Sequence, residues 1–136
     1  MLEYSVEVNA QSSVKRNALQ ISCFNGHKKI VQLLLEYGAD VNAQCSIDGN
    51  VLQIACSDGH EKMVQLLLEY GADVNAYGGL YGNALQAACS NGHETIVQIL
   101  LDHGANVNAQ GNYYENALQA ASYYGHKKVV QILLKH

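Results

Sequence analysis

The sequence predicts an all-α solenoid, a stack of helix-turn-helix units joined by β-turn fingers, and three observations carry that prediction. The chain lays over itself at a spacing of 33 residues, so that the tetrapeptide NALQ or NVLQ starts at Asn17, Asn50, Asn83 and Asn116. The pair Gly-His at Gly26, Gly59, Gly92 and Gly125 and the triplet VNA at Val8, Val41, Val74 and Val107 keep the same phase, with no slip of register. Within each copy a short helical pattern is followed by a longer amphipathic one and then by a stretch rich in turn formers. A fixed period of this size marks a repeat array, in which a unit buries its apolar face against its neighbours and does not fold alone.

Size and composition agree. The 136 residues, 49% hydrophobic and 15% charged, suit one globular domain spanning 1–136. Residues 1–10 read as the tail of a preceding repeat, because Leu2, Glu3 and Tyr4 stand in phase with Leu35, Glu36 and Tyr37; repeats follow at 11–43, 44–76, 77–109 and 110–136.

The first helix of each unit starts from its Asn. Asn17 is a good N-cap, and Gln20 stands three residues on, where its amide can reach back to the cap backbone in a capping box. Asn50 with Gln53, Asn83 with Gln86 and Asn116 with Gln119 repeat the arrangement. These helices are expected to be about eight residues long and to end at Asn25, Asp58, Asn91 and Tyr124, before a glycine able to turn left-handed. Leu19, Leu52, Leu85 and Leu118 should fill the core, while the small residues Ser22, Ala55, Ala88 and Ala121 should let neighbouring helices approach closely.

The second helix is expected from His27 to about Tyr37. Ile30, Val31, Leu33, Leu34 and Leu35 give a wide apolar face, and Lys28, Lys29, Gln32 and Glu36 a polar one. Gly38, Gly71 and Gly104 follow the last turn in the position of a C′ glycine. The segment after them alternates Val with polar residues and ends in turn formers, as an extended finger with a β-turn would.

Through GHKKIVQLLLEYGADVNA and its copies, the chain resembles the ankyrin repeat family over essentially its whole length. The first helices depart from the family's TPLHLAA: here they read NALQISC, NVLQIAC, NALQAAC and NALQAAS, and the chain contains no proline. Asn thus replaces Thr as cap, and Gln replaces the His whose side chain ties neighbouring repeats in the family. NALQ repeats are similar to those of fungal multidomain ankyrin proteins. The family's turn glycine is also missing, its phase being held by Lys15, Asp48, Tyr81 and Tyr114, with Gly49 and Gly82 one residue later.

Composition and motifs narrow the function classes. A net charge of −4 and the lack of a basic stripe disfavour nucleic acid. No apolar run approaches the roughly eighteen residues of a membrane span, and MLEYSVEV has neither a basic n-region nor an apolar h-region, so an intracellular location, cytoplasmic or nuclear, is expected. Cys23, Cys56 and Cys89 share one phase and read as small core residues, since stacked helices lie too far apart for disulfides between them; Cys45 falls in a finger. His27, His60, His93 and His126 are likewise too far apart to converge on one metal ion, and are expected to hydrogen-bond the loop that precedes each second helix. No set of nucleophile, base and orienting acid is present, and GGLYG at Gly78 has no lysine, so neither catalysis nor a cofactor is expected. Asn42, Asn75 and Asn108 stand in the VNA context that asparaginyl hydroxylases modify in ankyrin proteins of animals; the plain expectation is that they satisfy finger backbone.

Variation between units points to the functional face. The finger columns read Val14-Lys15-Arg16, Ile47-Asp48, Leu80-Tyr81 and Tyr113-Tyr114, and the ends of the first helices Phe24-Asn25, Ser57-Asp58, Ser90-Asn91 and Tyr123-Tyr124. The resemblance implies that these columns line one groove that binds a protein partner; neutral drift at exposed positions would produce the same variation. The charge order predicts an apolar anchor against the tyrosines of the last two units and an acidic group near Lys15 and Arg16. Two further readings are a structural spacer or self-stacking array excised from a longer protein, since VVQILL at Val129 is as apolar as the internal copies and leaves the ends prone to end-to-end association, and an engineered consensus-like scaffold, against which NVLQ, Met63 and Tyr77 argue.

Overall fold

Eight helices follow one another in the computed structural model, which describes residues 6–11, 16–44 and 47–136. They alternate short and long: α1 Ala18–Phe24, α2 Lys28–Glu36, α3 Val51–Asp58, α4 Glu61–Glu69, α5 Ala84–Ser90, α6 Glu94–Asp102, α7 Ala117–Tyr123 and α8 Lys127–Leu134. Each odd helix packs on the even helix after it; α1, α3, α5 and α7 form one layer and α2, α4, α6 and α8 the other, each helix beside its counterpart in the next unit. No strand runs through the described residues, where the fingers contribute an isolated bridge between Gly78 and Gly82.

The helices begin as their capping residues dictate. Asn17, Asn50, Asn83 and Asn116 each adopt extended backbone and accept the N–H of the residue three along, the Gln. The reciprocal half of the capping box forms at Asn17 and Asn50 only. The Gln86 amide donates to the next finger, at Ala109 O and Tyr114 O, without closing the box, and Gly111 leaves room for it: a Cβ there would lie 2.2 Å from Gln86 Oε1. In the last unit Gln119 Oε1 accepts from Glu115 N–H rather than from the cap.

The core lies between the two layers. Leu19, Leu52, Leu85, Val31, Val64, Val97, Leu67 and Leu100 are fully or almost fully buried in it. Between neighbouring odd helices the side chains are small: Ala55, Ala88 and Ala121 are fully buried, as are Cys23, Cys56 and Cys89, the close approach that short side chains permit. Burial pushes the Cys23 and Cys89 thiols up to about 12 and the Cys56 thiol well above its ordinary value, with the Asp58 carboxylate adding to the rise at Cys23. These thiols are packing residues; Cys45 lies outside the described residues.

Two expectations about burial need correction. Leu118 is only partly buried, because within its layer α7 has a neighbour, α5, on one side among the described residues. The apolar face of α2 is not buried across its width: Ile30 and Leu33 are about half exposed, whereas their counterparts Met63 and Leu66 on α4 are buried. On α4 and α6 those positions lie towards the preceding second helix, and among the described residues no second helix precedes α2.

Candidate functional site

Three kinds of polar tie hold consecutive units at one spacing, and together they position the fingers over the odd helices. The first uses the Gln. Gln20 donates to Ala43 O at 3.1 Å, where its unit's chain enters the next finger, and Gln53 to Gly78 O at 2.8 Å, in the finger of the following unit. In Gln53 the same side chain accepts the Asn50 N–H at 2.8 Å, so one buried amide both closes a helix cap and fastens a finger. The second tie uses the VNA asparagine: Asn42 accepts from Asp73 N–H at 2.8 Å and donates to Gly71 O, and Asn75 does the same with Asn106 and Gly104. Asn9 makes this pair with Asp40 and Gly38. Asn42 and Asn75 thus satisfy finger backbone, as expected.

The third tie explains the Gly-His pair and corrects the expectation for it. His93 Nε2 lies 3.0 Å from Ser57 O and His126 Nε2 3.0 Å from Ser90 O, so each ring reaches the last turn of the preceding unit's first helix rather than the loop before its own. That ring occupies the space beside the previous unit's glycine. A Cβ on Gly59 would lie 2.7 Å from the His93 ring and one on Gly92 2.6 Å from that of His126, and both glycines have φ above +70°. Gly and His are neighbours in sequence because each serves a different interface of its unit.

Fingertips meet directly as well. Gly79 lies so close to Gly49 that a Cβ on it would stand 2.7 Å from Gly49 Cα, and Gly82 has the same relation to Gly111. Asn112 then ties the last two fingers, accepting from the Tyr77 hydroxyl and donating to Leu80 O.

On this frame the variable columns come together. A cavity of about 120 Å³ between α1, α3 and two fingers is lined by Phe24, Asp48, Ser57, Asp58, Leu80 and Tyr81, all from those columns, with Gln53 and Ile54. A second, more open hollow of about 350 Å³ runs over the fingertips, where Ile47, Leu80 and Tyr113 flank Gly79 and Asn112. Arg16 pairs with Asp48, and its guanidinium lies 5.1 Å above the Phe24 ring. Asn25 caps its own helix through Ile21 O, and Asn91 spreads its amide over Ala87 O, Ser57 Oγ and the Tyr81 hydroxyl. Val14 and Lys15 lie outside the described residues.

The far end of the same face is aromatic. Tyr114, Tyr123 and Tyr124 form a triangle with ring centroids 5.0 to 5.9 Å apart, and Tyr124 stacks on His126. The Tyr114 hydroxyl donates to that of Tyr124 at 3.3 Å, a bond that pushes the Tyr114 phenol up to about 12. Ser90, expected on this face, is buried instead, since α5 is flanked by α3 and α7 on both sides. Its hydroxyl has no partner among the described residues. One unit earlier Ser57 Oγ receives the Asn91 amide; Tyr124 holds the corresponding position here and has no amide to give.

A two-layered helical repeat with fingers folded over one layer is the architecture of a protein-interaction solenoid. The family model for ankyrin repeats in three copies matches residues 1–78 and 79–136, and the chain belongs to the ankyrin repeat family. Repeats of this family serve in general as protein–protein interaction modules. No curated protein matches the chain. Among the described residues no helix is long and apolar enough to cross a membrane.

Proposed function

We propose that the chain is a non-catalytic interaction module that binds a partner protein through the groove between its fingers and first helices. One observation carries this reading: Phe24, Asp48, Ser57, Asp58, Leu80 and Tyr81, drawn from the variable columns of three units, line one cavity. Residues free to differ between units are thereby adjacent in space, while the residues that must match, Gln, Asn and the Gly-His pair, are engaged in holding the units together. The groove continues over Ile47 and Tyr113 to the tyrosine triangle. Tyrosine offers a large amphipathic contact surface at small entropic cost. The buried, unpaired cysteines Cys23, Cys56 and Cys89 accord with an intracellular setting.

A pull-down with the array from its source cell identifies the partner. Tyr81→Ala and Tyr114→Ala should then each weaken binding by about 1 kcal/mol or more, and Lys28→Ala and Glu69→Ala, on second helices, should leave affinity unchanged. Loss of binding in the helix-face variants alone would reject the groove.

A second reading, end-to-end stacking of copies, is favoured by the exposed Ile30 and Leu33 and by the apolar hollow that Val6, Val8, Leu33, Leu34 and Tyr37 form beside α2. Light scattering across a concentration series tests it: mass that rises with concentration supports stacking, and a strict monomer rules it out.

A further inference from the structure

We infer that the cavity between Phe24 and Tyr81 receives a basic side chain, an arginine or lysine of an extended segment in the partner, with Asp58 as its counter-charge; this rests on the groove reading above and names the chemistry the groove selects. The cavity, about 120 Å³, combines two aromatic side chains with two carboxylates, Asp48 and Asp58. An aromatic face and a carboxylate together hold a cation, the ring through its quadrupole and the carboxylate through charge and hydrogen bonds.

The chain already displays this chemistry at the mouth of the cavity. Its own Arg16 guanidinium lies 5.1 Å above the Phe24 ring and pairs with Asp48. Asp58, which also lines the cavity, is exposed, and no ion pair to it exists among the described residues. Its charge lines the groove with no cation of the described residues against it.

The distribution of charge over the molecule points the same way. Six of the eight lysines and arginines, Lys28, Lys29, Lys62, Lys127, Lys128 and Lys135, lie on second helices or directly after the last one. The remaining two, Lys15 and Arg16, belong to the first finger. From Asp48 onward the fingers and first helices carry Asp48, Asp58, Asp73 and Glu115 and no lysine or arginine. A basic segment is therefore attracted to the groove and repelled from α2 and α8. The same distribution revises the expectation of an acidic group near Arg16, since Asp48 already occupies that position.

The test selects a library of random short peptides on the full chain, then measures the enriched peptides, made synthetically with a fluorescent label, by anisotropy against the unaltered chain and four variants. Circular dichroism confirms that each variant is folded. The expected result is enrichment of Arg or Lys, with affinity falling roughly tenfold on Asp58→Asn and several-fold on Phe24→Leu. It should stay within about twofold on Glu69→Gln, which removes the same charge from a second helix. Peptides that lose affinity on Tyr81→Ala but are indifferent to Asp58→Asn would overturn the cation site and leave the groove reading standing. Peptides indifferent to all three groove substitutions, or a selection that enriches nothing, would overturn both.

Discussion

Replacing one glutamine should cost far more in the middle of the array than at its last first helix. Gln53 is almost fully buried; its Oε1 accepts the Asn50 N–H at 2.8 Å and its Nε2 donates to Gly78 O at 2.8 Å. Gln53→Ala leaves the N–H of a buried cap residue and a finger carbonyl without partners at once. A buried orphan group costs about 1–3 kcal/mol, and the Gly78 carbonyl is near enough to solvent for water to recover part of its bond, so the expected loss is about 2–4 kcal/mol. Gln119, in the same phase, is exposed, and it makes one bond, accepting from Glu115 N–H at 2.8 Å. Water replaces that bond, and Gln119→Ala should cost less than about 1 kcal/mol. Urea melts followed by far-ultraviolet circular dichroism measure both variants on equal terms. Equal losses, or the greater loss at Gln119, would refute the role of this glutamine as the tie between helix cap and following finger.

The remaining predictions concern packing, the Gly-His pair and pH. Leu85→Ala should cost about 2–5 kcal/mol as a core truncation, and Asn83→Ala, which removes an N-cap acceptor, roughly 1 kcal/mol; melts that reverse this order contradict the helix and core assignments. Gly92→Ala meets both a φ of +71° and the His126 ring at 2.6 Å, whereas Gly125→Ala meets a φ of +74° and open space. Gly125→Ala should therefore lose about 1–2 kcal/mol and Gly92→Ala distinctly more in the same melts. The thiols Cys23 and Cys89 hold their protons up to about 12 against an ordinary 9.0. The unfolded chain ionises them first, so stability they support is intact below about pH 9 and is lost as pH rises from there towards 12. Denaturation midpoints between pH 8 and 11 should fall less steeply in a variant with Cys23, Cys56 and Cys89 all changed to Ala, and identical slopes would exclude the thiols.

Periodicity made the helices legible because every structural role recurs at the same phase: each Asn caps, and each C′ glycine turns with positive φ. What periodicity hid were roles that span two units. Gln20 and Gln53 read as capping-box residues, and their second bond, to the next finger, is invisible in a local pattern. The His of the Gly-His pair pointed to a neighbouring carbonyl, yet at His93 and His126 the acceptor is thirty-six residues earlier, on another helix. A clue did exist: a glycine fixed beside a histidine in every copy is more than a turn requires. The approach of Gly79 to Gly49 had no local signal, since either glycine alone reads as a turn. For the candidate site, column variation picked out side chains that line one cavity, but it could not foresee that Arg16 spends its charge on Asp48 or that Ser90 is covered. Both depend on what the adjacent unit contributes.

The groove is tested most directly by the hydrogen-exchange footprint of a bound partner on the intact chain. Amides of the fingers and first-helix ends should gain protection, at residues 24–25, 47–50, 57–58, 79–82 and 113–114. Those of α2, α4, α6 and α8 should exchange as they do without the partner. Protection confined to the second helices, with the fingers unchanged, would contradict the assignment of the binding face.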